Sequence, residues 1–185
     1  MSLFGDGLDA AVQKAFTRPA PKSAPAQMRY LVKQLKGTKQ VAQMLRISQR
    51  TVERYVKDQI KKPRPDLAAR LEREVKARWQ PQIRAKAREK AATTGGIIID
   101  TRARIGYIAP VGTTDDARLR HLTVALPPQY AARLFDAQQQ GATDQRLQEI
   151  AAEALKEVYF QDGGRRAGSL EEVRFTDIEH IEFDL

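Results

Sequence analysis

The sequence has no cysteine among its 185 residues, which rules out disulfides, thiolate metal sites and cysteine nucleophiles and fits a reducing cytoplasm. Histidine is nearly as scarce, with His121 and His180 alone, too few to build a zinc site. No stretch approaches the roughly 18 apolar residues of a membrane span, and the opening Met-Ser-Leu-Phe-Gly-Asp has neither a basic leader nor a long apolar run. The chain therefore reads as soluble, intracellular and free of membrane partners. Paired carboxylates, a Ser-His-Asp arrangement, a phosphate loop and a metal constellation are also missing, so neither an enzyme nor a bound cofactor is expected.

What the sequence does have is charge, unevenly placed. Residues 1–95 hold 22 Lys and Arg against 8 Asp and Glu, a net of +14, whereas residues 96–185 hold 10 against 15, a net of −5. A cationic half joined to an acidic one suggests a nucleic-acid-binding module attached to something else, because lysines and arginines gain affinity by releasing counterions from phosphates. The length suits two small domains.

The expected fold class is α+β, helical first. LDAAVQKAF spaces Leu8, Ala11, Val12, Ala15 and Phe16 as an amphipathic helix, expected as a detachable arm over 1–18. Pro19, Pro21 and Pro25 suggest an extended linker over 19–27. A basic helical domain over 28–95 follows, in which Thr38 and Ser48 are placed to cap two short helices. A longer helix over 66–92, begun by Asp66, has Leu67, Leu71, Val75 and Trp79 on one face and Pro81 as a kink. At Thr93-Thr94-Gly95-Gly96 the composition turns to β-branched residues, which puts the boundary of an α+β domain over 96–185 there. Strands are expected at 97–108, 118–126 and 172–183 and helices at 127–140 and 143–160.

The most specific signal is VAQMLRISQRTVERYV. Val41, Ala42, Leu45, Ile47, Val52 and Tyr55 are spaced so that two short helices bury them across a tight turn, with the small Ala42 where the helices cross closest. That is a helix-turn-helix, and its second helix displays Gln49, Arg50, Thr51 and Arg54, residue types that read base edges in a major groove. Arg46 occupies the turn position where a glycine with positive φ is usual. Lys39, Lys57, Lys61, Lys62 and Arg64 are placed to hold phosphates, and the run Arg70, Arg73, Lys76, Arg78, Arg84, Lys86, Arg88, Lys90 either extends that grip or forms a solvated helix face.

With those residues in view, the whole chain resembles the telomere terminal proteins of Streptomyces linear chromosomes and plasmids. The likeness is carried by MSLFGDGLDAAVQKAF, TKQVAQMLRISQRTVERYV, GTTDDARLRHLTVALPPQYAARLFDAQ and SLEEVRFTDIEHIEF. It implies a nucleoid protein covalently attached to DNA 5′ ends, acting as end cap and as protein primer for end patching. A threonine hydroxyl would accept the first deoxynucleotide, and the priming threonine aligns on Thr114, with Thr113 as its neighbouring alternative. The implied partners are telomeric DNA, a DNA polymerase and a telomere-binding accessory protein. The residues themselves place both threonines in a hydrophilic loop, Pro110 to Asp116, where Asp115 and Asp116 either help hold a metal or cap the turn. Two other readings share the same physics. One is a helix-turn-helix regulator or plasmid partition factor with an α+β dimerisation domain. The other takes the order LTVAL, helix, helix as a ribbon-helix-helix module that self-associates.

Overall fold

The computed structural model describes residues 3–108 and 114–185. Among them lie eight α-helices and one three-stranded antiparallel sheet, an α+β fold with the helices leading. The chain divides into two compact units. The larger holds residues 1–16 and 82–185, and the smaller holds residues 17–81. The smaller unit is thus an insertion in the larger, which overturns the expected order of arm, linker, basic domain and α+β domain.

The larger unit is built on β1 (Ile97–Ile108), which lies between β2 (Thr114–Leu126) and β3 (Glu172–Asp184). Ile99 pairs with Val124 on one side and Phe183 on the other. Alternation along β1 buries Ile97, Ile99, Thr101, Ala103 and Ile105 and turns Arg102 and Arg104 to solvent, as a half-buried antiparallel sheet requires. The one buried hydroxyl in this row, Thr101 Oγ1, donates to the His180 carbonyl at 3.0 Å. The helices α7 (Pro128–Gln139) and α8 (Asp144–Leu155) supply Tyr130, Leu134, Phe135, Leu147, Ile150 and Leu155 to the same core. A π-helical turn, Lys156–Phe160, prolongs α8.

The first helix, α1 (Leu3–Lys14), is part of this core and not a detachable arm. Phe4, Leu8, Ala11 and Val12 are almost wholly buried, with the Phe4 ring 6.0 Å from those of Phe175 and Phe183. Its exposed N–H groups are satisfied by one carboxylate: Asp144 accepts from Leu3 and Phe4 at 2.9 Å and from Gly5 at 3.1 Å. At its other end Lys14 reaches Glu182 at 2.7 Å. The expected helix over 66–92 is in fact two, α5 (Pro65–Arg78) and α6 (Pro81–Lys90). They are separated by Trp79 in an extended conformation and Gln80 with φ 47°, because the residue before a proline is pushed out of the helical region. Helix α6 belongs to the larger unit from Gln82 onward. A π-helical turn, Ala91–Gly95, then leads into β1 through Gly96, whose φ is +70° and where a Cβ would meet the Leu126 carbonyl oxygen at 2.2 Å. Only glycine fits there.

The smaller unit packs α2 (Ala24–Leu35), α3 (Thr38–Leu45), α4 (Gln49–Val56) and α5 around Met28, Leu31, Val41, Leu45, Val52 and Leu71, all fully buried. The segment 19–27 is not a free linker, because Ala24, Pro25 and Gln27 are buried and Gln27 donates to the Pro21 carbonyl at 3.0 Å. The two ends of the unit are stitched side by side: the Trp79 indole donates to the Arg18 carbonyl at 2.9 Å, and Gln80 exchanges two hydrogen bonds with Thr17. Tyr30 lies edge-on to Trp79 at 4.9 Å, so the tryptophan belongs to the fold. Replacing Leu8 by Ala removes a fully buried side chain and is expected to cost about 2–5 kcal/mol in denaturant unfolding. A detachable arm would show no loss.

Candidate nucleic-acid interface

Helices α3 and α4 meet as the spacing predicts: Val41, Ala42, Leu45, Val52 and Tyr55 are buried and Ile47 partly so. The turn departs from expectation in its detail. Arg46 takes the left-handed conformation, φ 54° and ψ 48°, and its N–H and that of Ile47 close the end of α3 on the Gln43 and Ala42 carbonyls. An arginine thus fills the role a glycine would fill at lower cost. Ser48 caps α4, accepting from the Thr51 N–H at 3.1 Å. Thr38 does not cap α3. Gly37 stands at that position, and Thr38 is the first helical residue.

Within α4 the four expected readers divide. The Gln49 amide donates to Glu53 at 2.9 Å, and the Thr51 hydroxyl is bonded to that of Ser48 at 2.8 Å, so both are oriented by an internal partner and keep hydrogen-bonding capacity to spare. Arg50 and Arg54 are exposed one turn apart and share a face of the helix. No hydrogen bond or ion pair holds either side chain among the described residues. Lys57 at the end of α4, Lys61, Lys62 and Arg64 in the extended segment before α5, and Lys39 at the start of α3 are exposed too.

The charge is sharper than the halves of the sequence suggested. Residues 17–81 hold 17 Lys and Arg against 5 Asp and Glu, a net of +12, and the remainder of the chain holds 15 against 18. Four of those five acids are paired: Asp58 with Arg29, Asp66 with Arg70, Glu72 with Lys76 and Glu74 with Arg78. None of these pairs takes a cation from α4 or from the segment after it. Arg29 also donates to the Val56 carbonyl at 3.1 Å, where a cation suits the negative end of the helix.

The basic run beyond α5 is different. Arg84 is buried against Asp9 at 2.7 Å and lies 6.0 Å over the Phe16 ring, while Arg88 stacks 5.6 Å over Phe135 and also reaches Asp9. Burial pushes the Arg88 guanidinium below its ordinary pKa, with the Arg84 charge adding to the shift and Asp9 opposing it. These two arginines build the larger unit and do not form a phosphate-binding row. Sequence reasoning missed Arg46 as an exposed cation beside α4, because it was read only as a misfit in the turn.

Of the two candidate acceptors, Thr114 opens β2, its backbone paired with Ile108, and Asp115 follows opposite Tyr107. The strand therefore begins four residues earlier than expected. Thr113 and the rest of the expected loop, 110–113, lie outside the described residues. Among the described residues no group of His, Asp and Glu is arranged to hold a metal ion, and no helix is long and apolar enough to cross a membrane. Comparison with known protein families, with curated proteins and with solved structures finds no match to this chain.

Two substitutions at the turn should act with opposite sign in thermal unfolding. Ser48→Ala removes the cap of α4 and is expected to cost about 1 kcal/mol. Arg46→Gly relieves a left-handed arginine, and after the greater unfolded-state freedom of glycine is set against that relief it is expected to stabilise by about 0.5 kcal/mol.

Proposed function

We propose that this protein is a DNA-binding terminal protein, joined covalently to the 5′ ends of linear DNA, where it primes end patching and caps the end. The observation that carries the DNA-binding part is the unpartnered Arg50 and Arg54 pair on α4, set in a unit of net charge +12. A short helix with a capped N-terminus and free guanidinium groups has the form of a major-groove reader. Lys39, Lys57, Lys61, Lys62 and Arg64 around it would hold the phosphates.

The covalent part rests on the sequence resemblance, with Thr114 as acceptor and Thr113 as its alternative. In that step the threonine oxygen bonds to the α-phosphorus of a deoxynucleoside triphosphate and pyrophosphate leaves. The hydroxyl proton passes to a base or water at the polymerase. A separate DNA polymerase and its metal ions activate the hydroxyl, so this chain is the substrate and not the catalyst. Telomeric DNA, the polymerase and a telomere-binding accessory protein are the proposed partners, and a homo-oligomer is compatible with them. The proposed location is the bacterial nucleoid.

The experiment is incubation of the protein with polymerase, telomeric template and labelled deoxynucleotides, followed by denaturing electrophoresis and phosphopeptide mapping. Thr114→Ala is expected to abolish the label without changing DNA affinity, and Thr114→Ser to keep part of it. Arg50→Ala and Arg54→Ala are expected to weaken DNA binding by about 1–3 kcal/mol each and leave the unfolding transition in place. Labelling on Thr113 alone moves the acceptor by one residue. A protein that protects a palindromic site as a dimer and forms no adduct is a regulator or partition factor instead.

A further inference from the structure

The larger unit carries a second feature that neither charge nor periodicity disclosed. At the end of the sheet where Ile108 of β1 pairs with Thr114 of β2 lies an open cavity of about 510 Å³, lined by Tyr107, Arg118, Arg120, Tyr159, Phe160 and Arg166. Three aromatic rings and three guanidinium groups line one hollow in a unit whose acids outnumber its bases. The π-helical turn that ends α8 supplies two of the rings, Tyr159 and Phe160, perpendicular to each other at 5.0 Å. Tyr107 of β1 meets Phe160 at 6.0 Å. The Arg120 guanidinium lies 5.5 Å over the Phe160 ring while its Nε donates to the Ile105 carbonyl at 3.3 Å, so the ring and the charge are held together. Tyr159 is 40% exposed, so its ring is open to a ligand, and Arg166 lies 3.8 Å from Asp162.

We infer that this hollow binds a nucleotide unit of single-stranded DNA, its base stacked on the exposed Tyr159 ring, which Phe160 braces edge-on, and its phosphate held by the surrounding arginines. The cavity is of ligand size, and a base with one phosphate needs what is assembled there, a π-face beside fixed donors. Aromatic platforms flanked by cations are how sequence-tolerant single-strand sites are built, and π-helical turns recur at binding sites. The inference uses residues of the larger unit only and does not depend on the terminal-protein reading. Under that reading, however, the site lies at the end of the sheet where Thr114 pairs with Ile108.

The test uses the full chain and fluorescence anisotropy with a labelled six-residue oligodeoxythymidylate, the same backbone without bases, and a labelled 20-base-pair duplex. Tyr159→Ala and Arg118→Ala are each expected to weaken binding of the oligodeoxythymidylate by about five- to tenfold, with duplex affinity unchanged within about twofold and Tyr159→Phe close to the parent. The strand without bases should respond to Arg118→Ala and not to Tyr159→Ala. Thymidine triphosphate added as competitor separates the two sources of the same chemistry. Displacement that is itself lost in Arg118→Ala assigns the site to free nucleotides, and absence of displacement assigns it to the strand. Tyr159 is exposed, so Tyr159→Ala should melt with the parent, and Arg118→Ala keeps the test open if it does not. Unchanged oligonucleotide affinity in both variants, or equal losses for oligonucleotide and duplex, overturns the inference.

Discussion

The larger unit closes on a single carboxylate. Asp144, at the start of α8, accepts from the N–H groups of Leu3, Phe4 and Gly5 of α1, three of the four free donors of a helix N-terminus met by one anion about 140 residues further along. Charge-assisted bonds to a helix dipole are among the stronger polar contacts available, and here they fix where α1 lies. Its position in turn sets Asp9, which holds Arg84 and Arg88 of α6. Helix α6 then delivers the chain through Gly96 to β1, the central strand. Without α1 in place, the buried Arg84 and the half-buried Arg88 would lose the Asp9 carboxylate, and removing one partner of a buried ion pair is costly.

The same economy bears on where positive charge stays unpaired. In the larger unit, several arginines are held by acids and rings: Arg84 and Arg88 by Asp9, Phe16 and Phe135, and Arg133 by Glu153 at 2.6 Å over the Tyr130 ring. In the smaller unit the acids sit on α5 or at the end of α4 and take their partners from α2 and α5. The cations of α4 and of the segment after it are left to solvent. Of the net charge of +12 over residues 17–81, six exposed cations, Arg50, Arg54, Lys57, Lys61, Lys62 and Arg64, thus lie on α4 and the segment after it.

Local elements were legible in the sequence because they depend on local rules. Alternation marks the bounds of β1, and the spacing of Val41, Ala42, Leu45, Val52 and Tyr55 marks the two short helices α3 and α4. Ser48 caps because a side-chain oxygen there needs only its own helix. What could not be read were the long-range facts. The apolar stripe of α1 says that it packs on something, and only the fold shows that the something is β3 and α8. Likewise, nothing in a basic helical stretch over 66–92 marks which arginines will meet Asp9. The start of β2 at Thr114 is not legible in the sequence because Asp115 is a turn-forming residue type, and its pairing opposite Tyr107 overrides that preference. The rings at 107, 159 and 160 are too far apart in sequence to announce a common hollow.

An inserted unit also imposes an order on synthesis. Residues 17–81 are continuous and complete their own core once α5 has left the ribosome, whereas α1, made before them, must wait for β3, since Phe4 packs on Phe183 and Lys14 on Glu182. Domains form as their contacts become available during elongation, and contacts far apart in sequence slow folding. The helix-turn-helix thus matures on the nascent chain while the sheet unit is still open, with the apolar face of α1 exposed until the carboxyl-terminal strand arrives.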